Sequence, residues 1–154
     1  MHAVDRPLLD ALSAEAQAAP RRRKNKNFHA TAEAPCQRLL NAIEPDSYVR
    51  PHRHLDKAEM VFVVRGRLGL LEFDDAGEVR GTTVLVAGGD VLGAEVQAGT
   101  FHSWVSLEPG TIFFEAKDGP YQPAGPAEVA DWAPAEGEPE AGAFLENMRA
   151  RVLA

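Results

Sequence analysis

Residues 48–68 read YVRPHRHLDKAEMVFVVRGRL, and this stretch carries the clearest indication of the fold. His52 and His54, two of the chain's five histidines, stand one residue apart and precede an apolar run. Side chains at positions i and i+2 of a strand point to the same side, so an extended segment here places both imidazoles together. Glu59 opens the apolar run, and core packing does not explain it, because burying a lone carboxylate is strongly unfavourable. A bound metal ion removes that objection.

A fourth candidate ligand lies downstream, in the segment VQAGTFHSW (96–104). His102 follows a glycine turn and begins another apolar run. Three imidazoles and one carboxylate suit Mn, Fe, Co, Ni, Cu or Zn without selecting one of them. Two positions stay open if the ion is octahedral, as a catalytic site requires. We therefore predict one divalent transition metal, and the alternative is a coincidence of surface and core residues. The predicted metal ligands are His52, His54, Glu59 and His102.

The region 37–117 has the pattern of an all-β domain. Short apolar runs are separated by turn residues, such as EPD at 44–46 and GGD at 88–90, and no helical period interrupts them. Many short strands at regular spacing favour an antiparallel sandwich or barrel. Pro51 indicates an edge or irregular position for its own segment. The predicted strands lie near 37–43, 48–54, 59–65, 67–74, 79–86, 90–96, 101–107 and 111–117.

Short helices are predicted at both ends of the chain. Apolar residues share one face over 7–19, and Pro20 ends that helix. A second helical period covers 140–153, where Phe144, Met148 and Val152 form a stripe that packs on the barrel or on a neighbouring subunit. The predicted organisation has three parts. They are an N-terminal helix and basic arm (1–27), a barrel (28–118), and a Pro/Gly-rich segment followed by the C-terminal helix (119–154).

Composition narrows the classes of function. A net charge of −7 argues against general nucleic-acid binding, which depends on neutralising phosphates. The single cysteine excludes an internal disulfide and a cysteine-cluster metal site. No apolar stretch approaches the ~20 residues of a membrane span, and no signal peptide is evident, so we expect a cytoplasmic protein without a membrane partner. His2 is expected to lie in a disordered terminus. A basic run is either a solvated or an anion-binding arm, and it comprises Arg21, Arg22, Arg23, Lys24 and Lys26.

These motifs resemble those of the cupins, which are small antiparallel jelly-roll barrels. The first cupin motif, G-x5-HxH-x3,4-E-x6-G, matches PHRHLDKAEMVFVVRG at 51–66, although Asp46 stands at the leading glycine position. The second motif, G-x5-PxG-xx-H-x3-N, is matched only at Gly99 and His102, with Gln97 and Ser106 replacing the proline and the asparagine. The resemblance implies a metal inside the barrel, held by the three histidines and the glutamate.

A narrower resemblance covers about residues 20–122. The segments RRRKNKNFH, CQRLLNAIEPDSYVRPHRH and FFEAKDGPY look like those of WbuC-type cupins, which occur with bacterial O-antigen and surface-polysaccharide genes. This resemblance implies a small-molecule substrate, with a sugar or nucleotide-sugar precursor as the candidate. Since small cupins are often dimers, a homodimer is also expected.

Strand parity suggests which residues line the pocket. If His52 and His54 face inward, the side chains of Arg50 and Tyr48 should face inward as well. If His102 faces inward, Trp104 should do the same. Arg50 is then a candidate clamp for an anion, because a guanidinium pairs with carboxylate or phosphate through two parallel bonds. A surface arginine on an edge strand is the alternative. Arg38 and Asn41 face either the pocket or solvent, and parity does not choose between them.

Three further residues are candidates for proton transfer. They are Glu115, after the apolar residues of TIFFEAKDGPY, Tyr121 near its end, and His29 in NKNFHA. A surface glutamate, a locally packed tyrosine and an ordinary polar histidine are the alternatives. The predicted function is a metal-dependent enzyme, either isomerase-like, epimerase-like or oxygenase-like. The alternatives are a non-catalytic, metal-dependent binding module for a sugar or acid, and a barrel in which the metal only stabilises the fold.

Overall fold

The computed structural model describes residues 3–154, so the expectation for His2 lies outside the described residues. The described chain forms eight strands and two α-helices. The strands are β1 (Arg23–Asn27), β2 (Cys36–Ile43), β3 (Glu59–Arg65), β4 (Arg67–Phe73), β5 (Val79–Val86), β6 (Gly93–Val96), β7 (Phe101–Ser106) and β8 (Thr111–Asp118). The helices are α1 (Arg6–Ala18) and α2 (Ala141–Leu153).

The strands form two antiparallel sheets, which confirms the predicted all-β architecture. One sheet has the order β1-β2-β8-β3-β6 and the other has the order β5-β4-β7. A buried apolar cluster joins them: Val61 and Phe113 come from the larger sheet, and Leu68, Leu85 and Trp104 from the smaller one. The two sheets therefore share one core, because each strand turns alternate apolar side chains toward it.

The segment 48–54 is extended but joins no ladder, so the strand predicted there is wrong. Its backbone pairs with β7 through one isolated bridge, between His52 and His102. Pro51 has no backbone N–H and cannot donate to a ladder. The Ser103 hydroxyl donates to the Val49 carbonyl at 2.6 Å and holds the segment against β7. Side-chain parity across this segment is consequently not that of a regular strand.

Part of the predicted basic arm is a strand. β1 pairs with β2 from Arg23 opposite Ile43 to Asn27 opposite Leu39. Lysine and asparagine are poor strand formers, so local sequence gave no indication of it. The strand forms because β2 offers an edge for backbone pairing, and charged residues are common on edge strands.

Both terminal helices pack on the barrel. In α1, Leu9 and Leu12 are buried against β2 and β8. In α2, Met148 and Val152 belong to the cluster that contains Leu71 of β4. The predicted C-terminal stripe therefore packs on its own barrel and gives no support for a subunit interface. Within 3–154, neither helix has the length and apolar character needed to cross a bilayer.

The segment 119–140 lies outside both sheets and contains one short 3₁₀ turn, Pro126–Glu128. Backbone hydrogen bonds tie it to the extended segment: Arg53 N–H donates to the Glu128 carbonyl at 2.8 Å, and Ala130 N–H donates to the Pro51 carbonyl at 3.1 Å. The segment is thereby fixed beside the end of the barrel that carries the histidines.

Candidate metal centre and adjoining cavities

The four predicted metal ligands come together at one end of the barrel. His52 and His54 lie on the extended segment, Glu59 begins β3, and His102 lies on β7. One potential ligand atom from each residue lies within 4.8 Å of those from the other three. The ring centroids of His52 and His102 are 4.6 Å apart, and those of His52 and His54 are 5.4 Å apart.

Backbone carbonyls set the tautomers of two histidines. Nδ1 of His52 lies 3.1 Å from the Arg50 carbonyl, and Nδ1 of His102 lies 3.0 Å from the Thr100 carbonyl. A carbonyl only accepts, so each Nδ1 carries the proton and each Nε2 keeps a free lone pair. This arrangement orients the ring and strengthens Nε2 as a metal ligand.

Burial and charge favour the protonation states that a metal needs. Burial lowers the pKa of His52 to about 3, so the imidazole is neutral at physiological pH. Burial also opposes ionisation of Glu59, but the hydrogen bond with His54 and the charge of Lys117 outweigh it and lower the pKa of Glu59 to about 2. Neutral imidazoles and an ionised carboxylate are the forms that ligate a metal.

One buried nitrogen in the site has no partner. Nε2 of His102 makes no hydrogen bond to any described residue, and the side chain is 1% exposed. Such a group is costly to bury unless something binds it. Together with the close donor atoms and their mixed nitrogen and oxygen chemistry, this nitrogen indicates that the four residues fit a divalent transition metal.

A polar network on β2 and β8 lies beside these ligands. Nζ of Lys117 is 2.6 Å from Glu115 Oε1 and 3.5 Å from Glu59 Oε2. Asn41 donates from Nδ2 to the other Glu115 oxygen at 2.8 Å. Burial, reinforced by the negative charge of Glu59, raises the pKa of Glu115. Burial lowers the pKa of Lys117, but the two carboxylates outweigh it and leave that pKa above its ordinary value.

The ligands open into a cavity of about 400 Å³, which we call the metal cavity. Its inner wall contains His52, His54 and Glu59, with the rings of Trp104 and Phe113 beside them. Its remaining charged lining residues are Arg21, Arg23, Arg50, Glu115, Lys117 and Glu136. The cavity thus combines a buried donor set with a strongly charged approach.

A second cavity of about 470 Å³ adjoins the first, and we call it the amide cavity. Side-chain amides and an imidazole line it, from Asn25, Asn27, His29 and Gln37. The two cavities share Asn25, Glu115, Lys117 and Tyr121 as common lining residues. The network of Glu115 and Lys117 therefore lies between the metal ligands and a region rich in neutral hydrogen-bonding groups.

The other predicted site residues fall into two groups. Arg50, Trp104, Glu115 and Tyr121 line the metal cavity, and His29 lines only the amide cavity. Tyr48 lines neither, because the segment around it is not a regular strand; its hydroxyl donates to the Pro134 carbonyl at 2.9 Å, and burial raises its pKa to about 12.

Arg38 also lines neither cavity. It is exposed on β2, whereas its neighbours Gln37 and Leu39 line the amide cavity and Asn41 the metal cavity. Its position does not support a substrate-binding role. Period-two alternation along β2 directs Asn41 inward and leaves Arg38 outside.

Sequence reasoning did not single out Lys117 or the inward roles of Arg21 and Arg23. Lys117 stands two residues after Glu115 on β8, so the same alternation that favoured Glu115 would have identified it. For the arginines the basic run had indicated either a solvated or an anion-binding arm. Arg23 reaches the cavity through the pairing of β1 with β2, and Arg21 lies just before that strand.

Solved structures show where else this fold occurs. CapF bound to the inhibitor 3-isopropenyl-tropolone has a TM-score of 0.57 and 18% identity, over 68% of this chain and 30% of CapF. Oxalate decarboxylase from Lactobacillus farciminis, in complex with formate, has a TM-score of 0.50 and 18% identity, over 64% of this chain and 29% of that chain. KdgF from Halomonas sp. has a TM-score of 0.49 and 21% identity, over 65% and 80% of the two chains.

The chain thus spans less than a third of CapF and of the oxalate decarboxylase. At these identities the likeness extends to the fold alone, and it confirms the cupin barrel. A search of curated protein sequences finds no match. The model of the family DUF6016, described as a domain of unknown function, matches residues 4–85. The chain therefore has the cupin fold and belongs to the DUF6016 family.

Proposed function

We propose that the chain is a cytoplasmic, metal-dependent enzyme that acts on a small anionic or sugar-type substrate. The observation that carries this proposal is the Glu115–Lys117 pair, buried beside the candidate metal ligands with Lys117 Nζ 2.6 Å from Glu115 Oε1. Two titratable groups in a cleft, with pKa values moved by burial and by each other, are typical of proton-transfer sites. A barrel that used metal only for stability would not need them.

His52, His54, Glu59 and His102 would hold the metal. When bound, a divalent ion supplies a Lewis acid that polarises a substrate oxygen. The chain's own residues then have distinct tasks. Glu115 exchanges a proton with the substrate, while Asn41 holds one of its carboxyl oxygens at 2.8 Å and Lys117 compensates its charge.

The residues around the candidate ligands shield part of the site from water, and this shielding favours proton transfer. Trp104 is buried, and its ring centroid lies 5.7 Å from those of His102 and Phe113, so that apolar side of the metal cavity excludes water. Tyr121 is 57% exposed and lines both cavities, which supports a role in closing over a bound substrate. We therefore favour an isomerase-like or epimerase-like reaction, in which a carbon-bound proton is removed and returned.

The amide cavity supports a sugar-type substrate. Asn25, Asn27 and Gln37 offer amide donors and acceptors, which suit hydroxyl groups. Nδ1 of His29 lies 3.0 Å from the backbone nitrogen of Arg38 and 3.1 Å from its carbonyl oxygen, so Nδ1 fixes the ring and Nε2 takes part in neither contact. The resemblance to WbuC-type sequences adds a precursor of a surface polysaccharide, such as a nucleotide sugar, as the proposed substrate.

We also propose that the enzyme is a homodimer, as the cupin resemblance implies. Phe62 and Val64 of β3 are 46% and 38% exposed, and Leu92 beside them is 46% exposed, which supports this surface as the interface. Light scattering should give twice the chain mass, and Phe62→Glu should give the single mass. A monomeric parent protein contradicts the proposal.

Deuterium incorporation tests the reaction directly. Metal-loaded protein is incubated in D₂O with a panel of sugar phosphates and nucleotide sugars, and nuclear magnetic resonance follows loss of carbon-bound protons. Glu115→Gln should abolish exchange while elemental mass spectrometry shows unchanged metal content. Glu78→Gln, an exposed change outside both cavities, is the matched control. Ligand binding by the parent protein without any exchange or conversion would instead favour a binding module.

A further inference from the structure

The metal cavity has an outer wall with an excess of positive charge. This outer wall comprises Arg21, Arg23, Arg50 and Glu136. The side chains of Arg21 and Glu136 are more exposed than those of Lys117 and Glu115, which lie nearer the ligands. Three guanidinium groups face one carboxylate, which leaves a net charge of +2. Arginine is suited to carboxylate and phosphate because its planar group donates two parallel hydrogen bonds.

Arg50 lacks a counter-ion. Its Nε is buried and has no hydrogen-bond partner, and the residue forms no ion pair within the described chain. A partly buried guanidinium without a partner is unfavourable, and a bound anion would compensate it. The same residue's carbonyl accepts from His52 Nδ1, so Arg50 is held beside the metal ligands.

Arg23 is already positioned for an anion. Its Nη1 donates to the Tyr48 carbonyl at 2.9 Å and to the Ser47 hydroxyl at 3.2 Å, which fixes the guanidinium under the extended segment. Its Nη2 donates to Glu136 Oε2 at 2.8 Å, and Arg21 donates to the same carboxylate. Glu136 thus acts as an internal anion on this wall.

We infer that the outer wall binds a phosphoryl group of the substrate, while the rest of the substrate extends toward the metal ligands. This inference rests on the proposed function and names its substrate class: a phosphate ester, with a monoester or a diphosphate sharing the same recognition. A dianionic group matches the net charge of the wall better than a single carboxylate does. Glu136 competes for Arg21 and Arg23, so a bound phosphoryl group displaces it or shares its partners.

Phosphate titration tests the inference. Inorganic phosphate and methyl phosphate are titrated by calorimetry into the metal-loaded protein at low ionic strength. Arg50→Gln should weaken binding of both by about tenfold, since a charge-assisted hydrogen bond is lost. Glu136→Gln should tighten binding several-fold, because it removes a competing negative charge. Arg80→Gln, on an exposed part of β5, should change nothing.

Opposite effects of the two variants keep the test independent of any loss of folding. If Arg50→Gln unfolds, the tightening by Glu136→Gln still decides, and unchanged or weaker binding in that variant overturns the inference. Binding of inorganic phosphate without methyl phosphate also overturns it, because the site would then take a free ion and not an ester.

The His52→Ala/His102→Ala variant separates this inference from the proposed function. Phosphate binding that persists in this variant and is weakened by Arg50→Gln supports the outer wall, whatever the role of the metal. Binding lost in the double histidine variant but unchanged by Arg50→Gln would place phosphate on the metal. That outcome overturns the inference and leaves the proposed enzyme standing.

Discussion

His52 and His102 are joined through their backbones as well as through their position in the site. The His52 N–H donates to the His102 carbonyl at 3.0 Å, and the His102 N–H donates back at 2.8 Å. This reciprocal pair holds an irregular segment against β7 and brings the two imidazole centroids to 4.6 Å. Gly99 N–H donates to the His54 carbonyl at 2.7 Å and extends the attachment. These backbone hydrogen bonds thus hold the donor set together.

Metal content should depend on these two histidines. We expect about one equivalent of a transition metal in untagged protein and little in the His52→Ala/His102→Ala variant, because two of four ligands are lost. Elemental mass spectrometry measures both. Retention of a full equivalent by the folded variant would show that the ion binds elsewhere.

Acid should destabilise the metal-free protein before carboxylates titrate. The pKa of His52 is about 3 in the folded chain against 6.5 ordinarily, and burial lowers that of His102 as well. Below pH 6.5 the unfolded chain binds protons that the folded chain excludes, so the free energy of unfolding falls as pH decreases. Each histidine contributes up to about 1.4 kcal/mol per pH unit.

Urea denaturation between pH 6.5 and 5.5 measures this effect. Glu59 adds little to the slope over that range, because its carboxylate, with an ordinary pKa of 4.5, is still mostly ionised in the unfolded chain and its folded value lies lower. His52→Gln should flatten the slope. A free energy of unfolding that stays constant across this range in the parent protein would contradict the expectation.

Lys117 should stabilise the metal-free protein more than the metal-loaded one. Lys117→Met leaves Glu59 and Glu115 without their shared cation, and removing one partner of a buried ion pair costs about 3–5 kcal/mol. A bound divalent ion would neutralise Glu59 and reduce that loss. Denaturation with and without metal compares the two cases, and Lys117→Met/Glu115→Gln should recover part of the loss. Equal losses in both states would argue against a metal beside Glu59.

The C-terminal helix should matter for stability and not for assembly. Met148 is 2% exposed in the cluster beneath α2, so Met148→Ala should cost about 2–5 kcal/mol. Leu153 is 58% exposed, and Leu153→Ala should change stability by less than about 0.5 kcal/mol. Thermal unfolding measures both, and light scattering should show no change in mass. A halved mass for Met148→Ala would instead place the helix at an interface.

The local sequence pattern determined much of the fold and of the candidate metal site. Alternating apolar residues and turn residues predicted β3 at 59–65 and β5 at 79–86 with the observed bounds. The candidate ligands could also be identified from the sequence, because His52, His54 and Glu59 lie within eight residues and a glycine turn precedes His102. These features depend on residues that are close in sequence, so they can be predicted from short-range periodicity.

The tertiary structure decided which distant groups meet. Pro51 removed the regular parity of its segment, so Arg50 lines the cavity while Tyr48 packs under α2. Pairing with the edge of β2 turned a basic stretch of poor strand formers into β1 and brought Arg23 to the site. Lys117 reached Glu59 only when β8 paired with β3. These contacts join residues far apart in the chain, and their free energy comes from burial and backbone pairing that no local period encodes.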